Sequence, residues 1–357
     1  RLSELKNSWA GIFRIEILPE LPVESLRKFY HNKHGRPSKE MYAMLGLMIL
    51  QQMHDLTDEK AIGDFMFDIR WRYALDVSGD SDLEAYVSLK SLWSIRKHLT
   101  EDGLYVEMFE QVTKKLAEVF KVDFDKQRLD SVHIHSNMRH LGRIALFSRT
   151  VKKFLLNLKR QHRTHYDQLE SARFKSYVNK KEEALFAAVK PSETAKTLSL
   201  LAEDIYFLLQ QFSSNEKVKS RSSFQLLSRL FKDQCTSVDD LENKGKKIVC
   251  AKPNHEVPSD SLQNPSDEDA GYSGHKGQGY QVQVMETYSG NSDKKQLSLI
   301  THIEVESADK HDVNALLPAL KNTDKRDMSP KELLADSLYG SDDNVQKAKQ
   351  DYQTDVL

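Results

Sequence analysis

Along this chain the spacing of apolar residues switches from a helical period to a period of two, and no all-helical or all-β fold satisfies both patterns. From residue 37 to 120 apolar positions recur every three or four residues: Ile62, Phe65, Met66, Ile69 and Tyr73, then Tyr105, Phe109, Val112, Leu116 and Val119. This predicts a helical bundle. Pro37-Ser38 and Thr57-Asp58-Glu59 are its helix-start signals, and Gly79 and Gly103 its breaks. The cluster Trp71, Tyr73 and Trp93 is expected in the bundle core. A helical pattern returns from Leu141 to Cys235, with stripes Ile144, Phe147, Val151, Phe154, Leu155, Leu158 and Leu198, Leu201, Ile205, Leu208, Leu209, Phe212 on either side of Pro191. Arg128–Ile134 reads as a strand. After a turn-rich stretch at 252–279, so long that it should be functional or disordered, Tyr280, Val282 and Val284 alternate with Gln281, Gln283 and Met285, and Ile300–Val305 repeats the pattern. A helix over Val313–Leu320, a short apolar run Leu333-Leu334-Ala335, a Tyr339-Gly340 turn and a polar helix from Ser341 complete an α/β part.

Composition excludes several classes. With 357 residues the chain is long enough for two domains. Cys235 and Cys250 are too few for a disulfide framework and lack metal-ligand spacing, which suits a reducing cytoplasm and small core or surface roles. No apolar run reaches the length of a membrane span. The most apolar stretch, Met41 to Leu50, ends at Gln51 and reads as a core helix. The net charge of −1 is an average over unlike parts. Between Arg139 and Lys181 stand twelve cations, opposed only by Asp167 and Glu170. Such a stretch, with Lys152, Lys153, Lys159, Arg160 and Arg163 at its centre, is either a phosphate-facing surface or a solvated helix face balanced by an acidic neighbour. Lys276, within Gly274-His275-Lys276-Gly277-Gln278-Gly279, has the same two readings: a phosphate contact helped by flanking glycines, or an exposed hairpin lysine.

Two segments share a form, a strand-like run ending in aspartate followed by serine: Arg128-Leu129-Asp130-Ser131 and Leu334-Ala335-Asp336-Ser337. On neighbouring strands their carboxylates emerge at one edge, where α/β sheets place their sites. Two close carboxylates are cheaply ionised only around a divalent cation, and oxygen-only ligands select Mg²⁺ or Mn²⁺. The bland reading is a pair of turn or cap aspartates. His133 and His135 share a strand face, but no third ligand has zinc spacing; these two, like His302 and His311, read as polar or packing residues.

Several longer stretches resemble bacterial insertion-sequence transposases of the DDE type. RPSKEMYAMLGLMILQQMHDLTDEKAIGDFMFDIRWRYALDV resembles their helical N-terminal domain, and RLDSVHIHSNM the segment with the first catalytic aspartate, here Asp130. DEDAGYSGHKGQGYQVQVMET is similar to the hairpin that follows, and LLADSLYGSDDN to the segment with the second aspartate, here Asp336. The resemblance runs over roughly residues 36–357. It implies an α+β/α/β architecture: an all-helical N-terminal DNA-binding domain (1–122), then an RNase H-like mixed-sheet catalytic domain (123–357) interrupted by a helical insertion at about 141–245. It also implies metal-dependent cleavage of transposon ends and strand transfer into target DNA, with Asp130 and Asp336 as catalytic metal ligands for two Mg²⁺ (or Mn²⁺) ions. The implied partner is double-stranded DNA, bound by a homodimer in the bacterial cytoplasm at the nucleoid, with no membrane. The third carboxylate, usually a glutamate on a later helix, is expected beyond residue 357, so the catalytic domain is expected to be truncated at its C-terminus. The alternative is an inactive remnant that only binds DNA, and a helical interaction module without a DNA role stands as a third reading.

Overall fold

The computed structural model describes residues 1–29, 40–79, 81–169, 171–178, 189–240, 247–289 and 297–357. Pro37-Ser38, Glu170, Lys180 and Lys181 lie outside them. The N-terminal part is helical, with main helices Met41–Met53, Asp58–Phe67, Ile69–Ala74, Leu89–Glu101 and Leu104–Phe120 around one apolar core. The start signal at Thr57 is realised: its side chain accepts a hydrogen bond from the Lys60 amide at 3.3 Å and caps the second helix.

Three expectations here need correction. The stripe Ile62 to Tyr73 is not one helix, because Asp68 turns extended and caps a new helix by accepting from the Arg70 amide at 2.8 Å; the phase shifts, and Ile69 is exposed. In Leu104–Phe120 the buried residues are Leu104, Thr113 and Ala117, so Tyr105 and Val119 face solvent. Trp71 is buried, but Trp93 is 63% exposed, one position off the buried stripe Leu92, Ile95, Leu99.

The rest of the chain is built on a mixed sheet. Its strands are β1 (Lys126–His135), β4 (Gly271–Ser273), β5 (Gly277–Thr287), β6 (Ile300–Ser307), β7 (Glu332–Ala335) and β8 (Asp355–Val356), while β2 (Cys235–Asp239) and β3 (Lys247–Ala251) form a separate hairpin. The order is β4-β5-β1-β7-β8, with β6 also on β5; β1 runs antiparallel to β5 and parallel to β7. The segment read as a helix from Val313 begins with a 3₁₀ turn, and the α-helix proper is Leu316–Asp324. This helix and Asp342–Tyr352 cover one sheet face, burying Leu129, Met285, Leu316, Leu320, Leu333 and Tyr339.

Between β1 and β4 lies a second helical unit, whose helices Arg143–Gln161, Thr194–Gln211 and Ser222–Gln234 share a core of Phe147, Phe154, Leu201, Ile205, Leu208 and Leu227. The helical reading of 141–245 is corrected at its end, where Cys235-Thr-Ser-Val extends into β2, the β-branched residues favouring a strand. Burial pushes the Cys235 thiol up to about 12, which leaves it a packing residue. The turn-rich stretch is pinned rather than loose. Lys153 Nζ donates to the Pro265 carbonyl, Arg229 donates to the carbonyls of Glu268 (2.7 Å) and Asp260 (3.0 Å), and Asp267 accepts from both Ser136 and Tyr280. The end of the stretch is the β4–β5 hairpin itself.

Candidate active site

Register decides the geometry. On the parallel strands β1 and β7, Leu129 pairs with Ala335, so the next position on each is an aspartate, Asp130 and Asp336. Neighbouring strands lie about 4.8 Å apart, so the backbones of the two aspartates leave the last paired position of β1 and β7 next to each other. Both residues are exposed. The Ser131 amide donates to Asp130 Oδ1 at 2.7 Å and the Ser337 hydroxyl donates to Asp336 Oδ1 at 3.1 Å, so the serine after each aspartate contacts it, once through the backbone and once through the side chain. The Tyr339 amide donates to the Asp336 carbonyl at 2.9 Å and closes the turn.

The adjacent cation does not neutralise the pair. Arg128, two residues before Asp130 on the same face, is bound to Glu286 at 2.6 Å. The remainder of this face is apolar and open: Val132, Ile134, Ile303, Val305 and Leu334 are 39–62% exposed. Among the described residues neither aspartate forms an ion pair, and both lie on a surface a ligand can reach.

The opposite face is held by polar groups that sequence reasoning passed over. Gln281 and Gln283 are buried, and both donate to Asp312 Oδ1, Gln283 at 3.1 Å. Tyr339, three residues after Asp336, is buried and donates its hydroxyl to Gln283 Oε1 at 2.6 Å. Burial raises the Tyr339 hydroxyl pKa well above the ordinary tyrosine value, so it remains a donor. The Asp336 turn is thus stapled to β5, which pairs with β1 on its other edge. The available signal was the glutamine pair alternating with valines on one strand, a pattern that leaves open which set lies inside.

The other candidate residues are not gathered at this pair. Lys276 is exposed at the β4–β5 hairpin tip, eight residues along β5 from Val284, the partner of Asp130, or about 25 Å at the usual strand rise. The glycines around it have reasons within the fold. Gly277 takes a φ of +89° in the turn, and a Cβ on Gly279 would meet the Ile134 carbonyl oxygen at 2.1 Å. Lys153 ties down the 252–270 stretch, Arg163 pairs with Asp167 at 2.9 Å and Lys159 lies over the Tyr166 ring; Lys152 and Arg160 lie on the same helix as Lys159. His133 and His135 meet edge to face at 4.7 Å, and burial together with His135 and Lys276 lowers the His133 pKa. His302 bonds Asn322 at 3.1 Å. Among the described residues no group of three or more His, Cys, Asp or Glu is placed to hold a metal ion. Nor is any helix there long and apolar enough to cross a membrane.

Residues 14–98 match the family model described as Transposase domain (DUF772). The match lies within the N-terminal helices, stops short of the sheet, and supports a transposase family. No curated protein and no solved structure matches the chain.

Proposed function

We propose that this chain is a DDE-type DNA transposase with an RNase H-like catalytic sheet, in which Asp130 and Asp336 hold divalent cations, Mg²⁺ or Mn²⁺, while transposon ends are cut and joined to target DNA. One observation carries the reading: each aspartate directly follows one member of the Leu129–Ala335 pair of the adjacent parallel strands β1 and β7, both are exposed, and among the described residues neither forms an ion pair. The match over 14–98 supports the broader class.

The donor set fits such ions. It is oxygen-only, and Mg²⁺ keeps several waters while taking one or two carboxylates together with phosphate oxygens, so two aspartates suffice as the protein's share. When bound, the ions polarise the scissile phosphate and the attacking oxygen. The chain's own part is placement. Ser131 and Ser337 hydrogen-bond the carboxylates, the Tyr339–Gln283 bond ties the Asp336 turn to β5, and the open face admits the DNA backbone. Any further carboxylate has to approach from that face, since helices cover the other. The reading also carries action as a homodimer on two transposon ends in the bacterial cytoplasm.

The test is Mn²⁺ titration followed by electron paramagnetic resonance on wild type, Asp130→Asn and Asp336→Asn. Each substitution is expected to weaken binding at least tenfold and to abolish metal-dependent cutting of transposon-end DNA. Mn²⁺ binding unaltered in both variants would refute the assignment.

A further inference from the structure

The helical unit between β1 and β4 brings cations from distant segments together. His165 Nε2 lies 3.0 Å from Asn215 Nδ2, and Asn215 caps the short helix Glu216–Lys219. That contact sets Lys217 and Arg221 beside the end of the Arg143–Gln161 helix, which carries Lys159 and Arg160 in its last turn. His162 follows directly, its ring 6.2 Å from that of His165. Lys159, Arg160, Lys217, Lys219 and Arg221 are all exposed, whereas the backbone beneath them is fixed by buried Leu158, Phe212 and Val218.

This arrangement works against the stability of the unit. Lys159 and Arg160 are well placed at a helix C-terminus, but Arg221 stands at the N-cap of Ser222–Gln234, a helix with no side-chain cap and no acidic residue in its first turn. A cation at a positive helix end is unfavourable. Two acids of these segments are engaged, Glu216 with Lys219 at 3.3 Å and Asp167 with Arg163. Among the described residues Lys217 and Arg221 form no ion pair. Burial, Arg221, His165 and Lys217 together lower the His162 pKa, in keeping with an excess of positive charge there. Like charges on a rigid base, with Lys217 and Arg221 unpaired among the described residues, are complementary to an external polyanion.

We propose that the surface made by Lys159, Arg160, Lys217 and Arg221 docks the phosphate backbone of duplex DNA. The inference rests on the transposase reading and adds a specific place to it: the 217–221 segment, outside the basic stretch of the sequence, supplies half of the contact. Spread over two segments, the cations span several phosphates rather than one, and such contacts are sequence-independent.

The experiment measures fluorescence anisotropy of a labelled 30-base-pair mixed-sequence duplex with the full chain over a salt series. Lys217→Ala/Arg221→Ala is compared with wild type and with Lys321→Ala/Lys349→Ala, which removes two charges elsewhere. Two lost phosphate contacts are expected to lower the slope of log K against log salt by about 1.8 and affinity at 0.1 M salt by roughly 10- to 60-fold, with the control pair at wild-type values. A slope and affinity shared by all three proteins would overturn this surface while leaving DNA binding in place. Absence of wild-type binding at 50 mM salt would overturn both this surface and the DNA role.

Discussion

Removing a single oxygen atom under the aspartate pair is expected to destabilise the sheet measurably. In Tyr339→Phe the ring keeps its packing against the helices that cover the sheet, so no cavity term enters. What is lost is the 2.6 Å bond to Gln283 Oε1, in a place where Gln283 is fully buried and its amide nitrogen is already engaged by Asp312. Stranding a buried acceptor costs about 1–3 kcal/mol, and full burial favours the middle of that range, about 2 kcal/mol. If the sheet unfolds with its helices as a unit of roughly 200 residues, this lowers Tm by about 4–8 °C. Urea unfolding followed by circular dichroism should show a lower midpoint at constant slope. The loss should be equal at pH 6 and pH 9, because burial keeps the hydroxyl protonated over that interval. Adding Gln283→Leu should recover part of the loss, since the stranded acceptor disappears with it. A Tyr339→Phe protein within about 0.5 kcal/mol of wild type would refute the staple.

Other outcomes follow from the same packing. Trp71→Ala is expected to cost about 3–5 kcal/mol and Trp93→Ala under about 0.5 kcal/mol, by urea denaturation, because the first is buried and the second exposed; equal costs would show that Trp93 is covered in solution. Arg96, bonded to Asp58 at 2.7 Å with Gln51 alongside, holds the Asp58 carboxyl down to about 2. A folded value below the unfolded one contributes stability above about pH 4 that is lost as pH falls from about 5 to 2. With both side chains about a third exposed, the full shift is discounted to about 1 kcal/mol, absent in Arg96→Met. Arg229→Ala removes the hydrogen bonds to the Glu268 and Asp260 carbonyls, and cleavage by a glutamate-specific protease in 252–270 should quicken several-fold; an unchanged rate would mean that Lys153 and Asp267 suffice.

Much of the chain was legible without coordinates. The Thr57 cap, the Phe147–Leu158 and Leu198–Phe212 stripes and the strands β1, β5, β6 and β7 follow from local rules, in which each residue's choice depends on neighbours within a turn or a pleat. The errors arose where a local signal competed with a longer pattern. Asp68 restarted a helix and moved Ile69 outward, Cys235 ended a helical run in a strand, and the Trp93 position differs by one residue from the buried stripe.

Sequence by itself determined that two strand-like runs carry an Asp-Ser pair, which β1 runs past to His135 and β7 stops before, and that a basic stretch lies between them. Tertiary structure decided that β1 and β7 are parallel neighbours in a register that pairs Leu129 with Ala335, the residues before Asp130 and Asp336. It also decided that Gln281 and Gln283 face the covering helices while Val132, Ile134, Ile303 and Val305 face outward, and that Lys217 and Arg221 come near His162. Alternation fixes which residues share a strand face, but which face is covered depends on helices such as Leu316–Asp324, and register on pairings between residues some two hundred positions apart.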